Sequence, residues 1–376
     1  MSSSVFERAV ARALRTHLHP APVTLQKHAR PLSSSTAARA TALPTTTAGP
    51  PPSPPQPSPH DYGQRIIDRR RKADLLRQGK EIRLAQHGGK SSPLRKRFWN
   101  HVHVLTTDAG DYQISLDKRP VRTPSKTILT VPRSKPHLAH AIAVEWDLLT
   151  SAAQALKTYH IPLTSILARA QDLLEAEAEQ VAKTREEISR TMMRYLDTDT
   201  LLCWAPAASD DSAEAKLNLD RSDSAGPSLR DLQIETAREI IGHLNATVWP
   251  GVELKPVLEE NSIMPSKQSD VTKSIISGWV AGLPPFELAA LERATLAAKS
   301  LLIGTRLVTE WSENYRDVQR EGGEKRFGIE EATIASTIEV RWQTSMWGEV
   351  DDTHDVEKED LRRQLGSAVL LVAGLN

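Results

Sequence analysis

The chain has 376 residues, with 48 basic and 47 acidic side chains, 39% hydrophobic residues and one cysteine. Eighteen of the basic residues but only five of the acidic ones fall in the first 97 positions, so the remainder carries a formal charge of −12. An acidic body lacks the footprint that nucleic acid requires, one cysteine excludes an intrachain disulfide, and no apolar run in the sequence reaches membrane-spanning length.

Residues 1–42 read as a mitochondrial presequence. Glu7 is their only acid, and VFERAVARALRTHL places Arg8, Arg12 and Arg15 on one helical face. The matrix is therefore the expected location, and its reducing environment suits a lone thiol. Residues 43–96 follow as linker. LPTTTAGPPPSPPQPSP lacks too many N–H donors for helix or sheet, and a basic stretch with sparse apolar positions comes after it. HGGKSS at 87–92 resembles the end of a P-loop, but Leu84 stands where the first glycine belongs and Pro93 follows.

The folded body is expected from Arg97, as an α+β chain: a small antiparallel β domain at 97–133, then a larger all-α domain at 134–376. Trp99 to Leu105 and Tyr112 to Leu116 alternate around a DAGD turn, LDKRPV makes a second turn, and Ile128 to Val131 forms a third strand. So few strands bury little alone and must pack on helices. Ser134 is the expected N-cap of the first helix, with Pro136 in its first turn and a stripe of Leu138, Ala141, Ile142, Trp146 and Leu149. IPLTSILARAQDLL and the segment from Val181 to Leu196 give two more helices. The stretches 205–227 and 314–325 look like disordered or loop insertions. Ser228 and Asp231 cap the start of LRDLQIETAREIIGHL. After Val271 to Ala281, FELAALERATLAAKSLLIGTRLVTEW presents Leu288, Leu291, Thr295, Ala298, Leu302 and Thr305 as one small-residue face. Two final helices are expected, Ile329 to Trp347 and about Val356 to Val372.

Few residues suggest chemistry. Asp197 and Asp199 form a D-x-D pair, which holds a divalent cation when a nucleotide-binding fold surrounds it. The alternative is that one aspartate caps the TLLCW turn while the other pairs with Arg190 or Arg194. Cys203 lies in the apolar run LLCW, where an inert thiol is the commoner case. His101 and His103 share a strand face without further ligands, and His354-Asp355 is a lone dipeptide. A metal-dependent hydrolase or transferase would have to bring Asp197, Asp199, His354 and Asp355 together. No cofactor or metal is expected.

Seven pieces occur in order from Arg97 onward: R-F-W, L-D-x-R-P-V-x-T-P, E-W-D, P-L-T, R-Y-x-x-T-D, a K-S-L-L helix and W-G-x-x-x-x-x-H-D. In this order they resemble the mitochondrial ATP synthase F₁ assembly factor 2 family. That resemblance implies a non-enzymatic, monomeric matrix chaperone that binds the F₁ alpha subunit until it assembles with beta. It also implies partner-binding roles for Glu145, Trp146 and Asp147 of E-W-D, with packing as the competing role for Trp146. An acidic position in the penultimate helix matches Glu330, with Glu331 and Glu339 beside it. Trp347, Gly348, His354 and Asp355 match the terminal motif, and Asp197 and Asp199 are further candidates for client contact.

Overall fold

The chain forms a four-stranded antiparallel sheet and ten α-helices among the residues described by the computed structural model, which are 96–206, 227–257, 265–319, 326–348 and 354–375. The expected presequence, the HGGKSS stretch, nearly all of the linker, 207–226 of the first insertion and 320–325 of the second lie outside them; Glu313–Val318, at the start of the second, forms a 3-10 turn.

Strands β1 (Val102–Thr106) and β2 (Tyr112–Leu116) form a hairpin in which Val102 opposes Leu116 and Thr106 opposes Tyr112. The turn between them needs a left-handed residue, and Gly110 supplies it at φ 88. β3 (Arg119–Pro120) and β4 (Thr130–Val131) pair with the other edge of β2. β4 is shorter than the expected Ile128 to Val131 strand; Ile128 makes only an isolated bridge with Arg122. The hairpin likewise starts three residues after Trp99, which is buried beneath the sheet instead. Ile114, Leu129 and Val131 close over Leu138 and Ile142 of helix α1 (Pro136–Asp147), so the sheet buries its apolar face on helix as a small sheet must. Ser134 does not cap α1. Lys135 holds the N-cap position, and its ammonium turns inward to the Val372 and Ala373 carbonyls, each at 3.0 Å, and to Glu313 at 2.6 Å. A buried lysine tolerates that position because one carboxylate and two helix-terminal carbonyls replace its water.

Next come α2 (Pro162–Ala178), α3 (Lys183–Asp197), α4 (Leu229–Thr247) and α5 (Asp270–Ala281). The expected capping box opens α4: Asp231 N–H donates to Ser228 Oγ at 3.2 Å, and Ser228 N–H donates back to Asp231 Oδ2 at 3.3 Å.

The long segment expected as one helix is two. α6 (Pro285–Ala298) ends where Lys299 turns left-handed at φ 55, and α7 (Leu301–Trp311) starts at Ser300, whose Oγ accepts from Ile303 N–H. The six residues of the small-residue face are all buried, but they serve two helices packed on each other. Gly304 marks the closest approach: a Cβ there would stand 2.8 Å from Thr295 Oγ1. α7 is buried from Leu301 to Glu310, as a core helix rather than a surface one. Two of its polar side chains pair within the core, Arg306 with Glu310.

The penultimate helix is also broken, into α8 (Ile329–Ser336) and α9 (Ile338–Trp347). Thr333 and Thr337 turn their hydroxyls back to the carbonyls four residues earlier, Ile329 and Thr333, both at 2.7 Å, a bond that bends helices. Gly348 ends α9 at φ 86, and α10 (His354–Val372) packs its apolar face on α6 and α8.

Candidate functional site

Three acidic residues of the sequence motifs each accept backbone N–H groups from another motif, so the motifs interlock. Asp117, in L-D-x-R-P-V, accepts from Asn100 N–H and His101 N–H, directly after R-F-W. These two bonds hold its carboxyl below the usual range.

Glu145 and Trp146 of E-W-D grip P-L-T. Glu145 Oε1 accepts from Leu163 N–H at 2.8 Å and Oε2 from Thr164 N–H at 3.0 Å, which satisfies two orphan donors at the start of α2. Thr164 Oγ1 donates to Glu145 at 2.6 Å and accepts from Trp146 Nε1 at 2.9 Å. Burial nevertheless raises the Glu145 carboxyl. Trp146 is 9% exposed and stacks edge-on against Trp99 with centroids 5.5 Å apart. It is a packing residue, held by the same hydrogen bond that orders the corner. Asp147 points outward to Arg97 at 3.3 Å.

The D-x-D stretch is the third lock. Asp199 is fully buried. Its Oδ1 accepts from Leu201 N–H, starting the turn Thr200–Leu202, while Oδ2 accepts from Leu302 N–H in the first turn of α7, both at 3.0 Å. Thr200 serves the opposite end, donating its N–H at 3.2 Å to the Lys299 carbonyl that closes α6. One dipeptide therefore caps both sides of the α6–α7 break: the anion faces the positive helix end and the donor faces the negative one. Desolvation pushes the Asp199 carboxyl up to about 6 against these hydrogen bonds. Asp199 thus caps the TLLCW turn, as one of the two readings of the D-x-D pair had it, and has no exposed surface for a client or a metal. Asp197 pairs with Lys273 at 2.6 Å, not with Arg190 or Arg194. The two aspartates thus face different partners. Cys203 is half-buried, and burial together with Asp199 raises its thiol, the reverse of what activates a nucleophile. Among the described residues, no three His, Cys, Asp or Glu side chains form a group that could hold a metal ion, and no helix is long and apolar enough to cross a membrane.

The remaining expected residues are spread along α8, α9 and the start of α10. Glu330 is solvent-facing and forms a fork with Arg362 of α10, at 2.7 and 2.8 Å, which lowers its carboxyl. Glu331 accepts from Gly328 N–H at 2.9 Å, and Glu339 accepts from Gln343. Helix α9 buries no residue at all, although it carries Ile338, Val340, Trp342, Met346 and Trp347. Trp347 is 60% exposed and meets Trp342 edge-on. His354 and Asp355 open α10; their side chains lie outside the described part. Sequence reasoning missed a cleft that Trp146 helps to line, whose basic residues are spread from position 118 to 293.

Residues 96–245 match the family model described as ATP12 chaperone protein. The chain is 28% identical to the mitochondrial protein atp12 of Schizosaccharomyces pombe over 285 residues, covering 75% of this chain and 84% of that protein. It is 29% identical to the mitochondrial protein ATP12 of Saccharomyces cerevisiae over 290 residues, covering 74% and 84%. An aspartate-to-lysine mutant of Paracoccus denitrificans Atp12p has the same fold at a TM-score of 0.50, with 22% identity, covering 74% of this chain and 96% of that one.

Proposed function

This chain belongs to the ATP12 chaperone family, and from that premise we propose that it is a non-enzymatic chaperone for the alpha subunit of the mitochondrial ATP synthase F₁ sector. It holds the newly imported subunit in the matrix and protects it from aggregation until beta takes its place. The observation that carries this reading is the interlocking of the ordered motifs: Asp117, Glu145 and Asp199 are each consumed in joining one motif to another. A scaffold built this way keeps its motifs for shape and leaves the α8–α9 surface, with Glu330, Glu339 and Trp347, to meet a client. The amphipathic N-terminal stretch and the relatives named as mitochondrial both favour a mitochondrial location.

The test is a pulldown of the tagged full chain from mitochondrial matrix, with the bound proteins identified by mass spectrometry. The alpha subunit is expected in stoichiometric amount without added nucleotide. Its absence, with a different respiratory-complex subunit in its place, would overturn the assignment.

A further inference from the structure

Two neighbouring grooves share Arg122 and Trp146 in their walls. One, of about 390 Å³, runs along the β2–β3 turn past Lys118 and Arg119. The other, of about 770 Å³, runs between α2 and α6 past Arg169 and Arg293. Together the two grooves form a cleft surface lined by five cations against two carboxylates, Asp172 and Glu292, in a body whose overall formal charge is −12. Glu292 is already committed to Arg169, at 2.8 and 3.0 Å, and Asp172 accepts from Ser125 at 2.9 Å. Arg293 donates to a neutral hydroxyl, Ser165 Oγ at 3.2 Å, and burial lowers its guanidinium. Between the cations the walls are apolar, with Leu156 73% and Leu296 44% exposed.

The local sign is thus opposite to that of the body, and charge complementarity decides what fits. A free phosphate or nucleotide favours cations and N–H groups converging on one point. Here the cations come from the stretch 118–122 around β3, from α2 and from α6, strung along a length of apolar wall. The chain's own stretch 61–97 carries twelve basic and four acidic residues and would be repelled. We propose that this cleft docks an extended, acidic segment of the partner polypeptide whose apolar side chains sit against Leu156 and Leu296. The inference rests on the chaperone reading for the partner's nature, and it adds a second contact surface, separate from α8–α9.

A fluorescein-labelled peptide of about twelve residues, alternating Glu with Leu or Phe, is titrated with the full chain beside the same peptide carrying Lys for Glu. Only the acidic peptide is expected to bind. Arg119→Glu with Arg122→Glu should weaken it by about tenfold or more, and raised salt should weaken it further. Both arginines are exposed, so folding is expected to persist, as far-UV circular dichroism checks; Leu296→Asp, in the other groove, is the independent variant. Equal binding of the two peptides, or binding untouched by both variants, overturns the proposal. So does displacement of the peptide by ATP or phosphate, which would mark a small-anion site. Tighter binding after deletion of 207–226, an acidic stretch of this chain, would make that stretch the occupant; peptide binding that competes with self-association in sedimentation would make it a second copy. Alpha-subunit capture is measured in parallel. Loss of capture by wild type defeats the chaperone reading while the peptide still decides the cleft; equal capture by wild type and variants, with no peptide effect, defeats the cleft alone.

Discussion

Replacing Asp199 with alanine removes the acceptor for two buried N–H groups, Leu201 and Leu302, both bonded at 3.0 Å. No water reaches a carboxylate that is 0% exposed, so both donors are left unsatisfied. At ~1–3 kcal/mol for each of the two orphaned donors, Asp199→Ala should cost about 2–6 kcal/mol. Against a typical domain stability of roughly 5–15 kcal/mol, that is a large fraction of the whole. Asp199→Asn keeps one acceptor and should lose about half as much. Urea unfolding followed by tryptophan fluorescence measures both, as a lowered midpoint at unchanged slope. Hydrogen exchange adds a local readout, because the Leu302 amide should lose protection first. An Asp199→Ala variant within ~0.5 kcal/mol of wild type, with Leu302 still protected, would refute the capping account.

Burial lifts the Asp199 carboxyl from 3.8 to about 6. An acid whose folded value exceeds its unfolded one stabilises fully below the unfolded value and loses that contribution as pH rises through the folded one. The stability difference between wild type and Asp199→Asn should therefore fall by up to ~3 kcal/mol between about pH 4 and pH 7, as paired urea titrations at each pH can check. Gly304→Ala forces a methyl against Thr295 Oγ1 at 2.8 Å and should destabilise by ~1–3 kcal/mol through the α6–α7 contact, seen as a lowered thermal midpoint. Glu330→Lys breaks a solvent-facing fork with Arg362, so its stability should stay within ~1 kcal/mol of wild type. Its capture of the alpha subunit should fall; unchanged capture would remove Glu330 from the interface.

Legibility in the sequence followed the range of the forces involved. The hairpin was readable because alternation and the DAGD turn are local, and the α4 cap because Ser228 and Asp231 lie three residues apart. The α6–α7 break was not readable. Apolar periodicity runs straight through Lys299, and the carboxylate that stabilises the break comes from Asp199, about a hundred residues earlier. The α8–α9 break had a local signal that periodicity overrode, in the hydroxyls of Thr333 and Thr337. At the candidate site, the motifs were recognisable as strings, but their meaning was not: E-W-D and P-L-T become a helix cap only once α1 and α2 meet. The cleft was invisible for the same reason, since its cations belong to three separate stretches of the chain, 118–122, α2 and α6.

The central claim is that the chain is a chaperone for the F₁ alpha subunit that works by holding rather than by turnover. Light scattering of isolated alpha subunit diluted from denaturant tests it most directly, with the full chain present in equal amount and no nucleotide. The account predicts suppressed scattering and a soluble complex on gel filtration. Scattering indistinguishable from that with an unrelated protein, or suppression only when ATP is supplied, would contradict it.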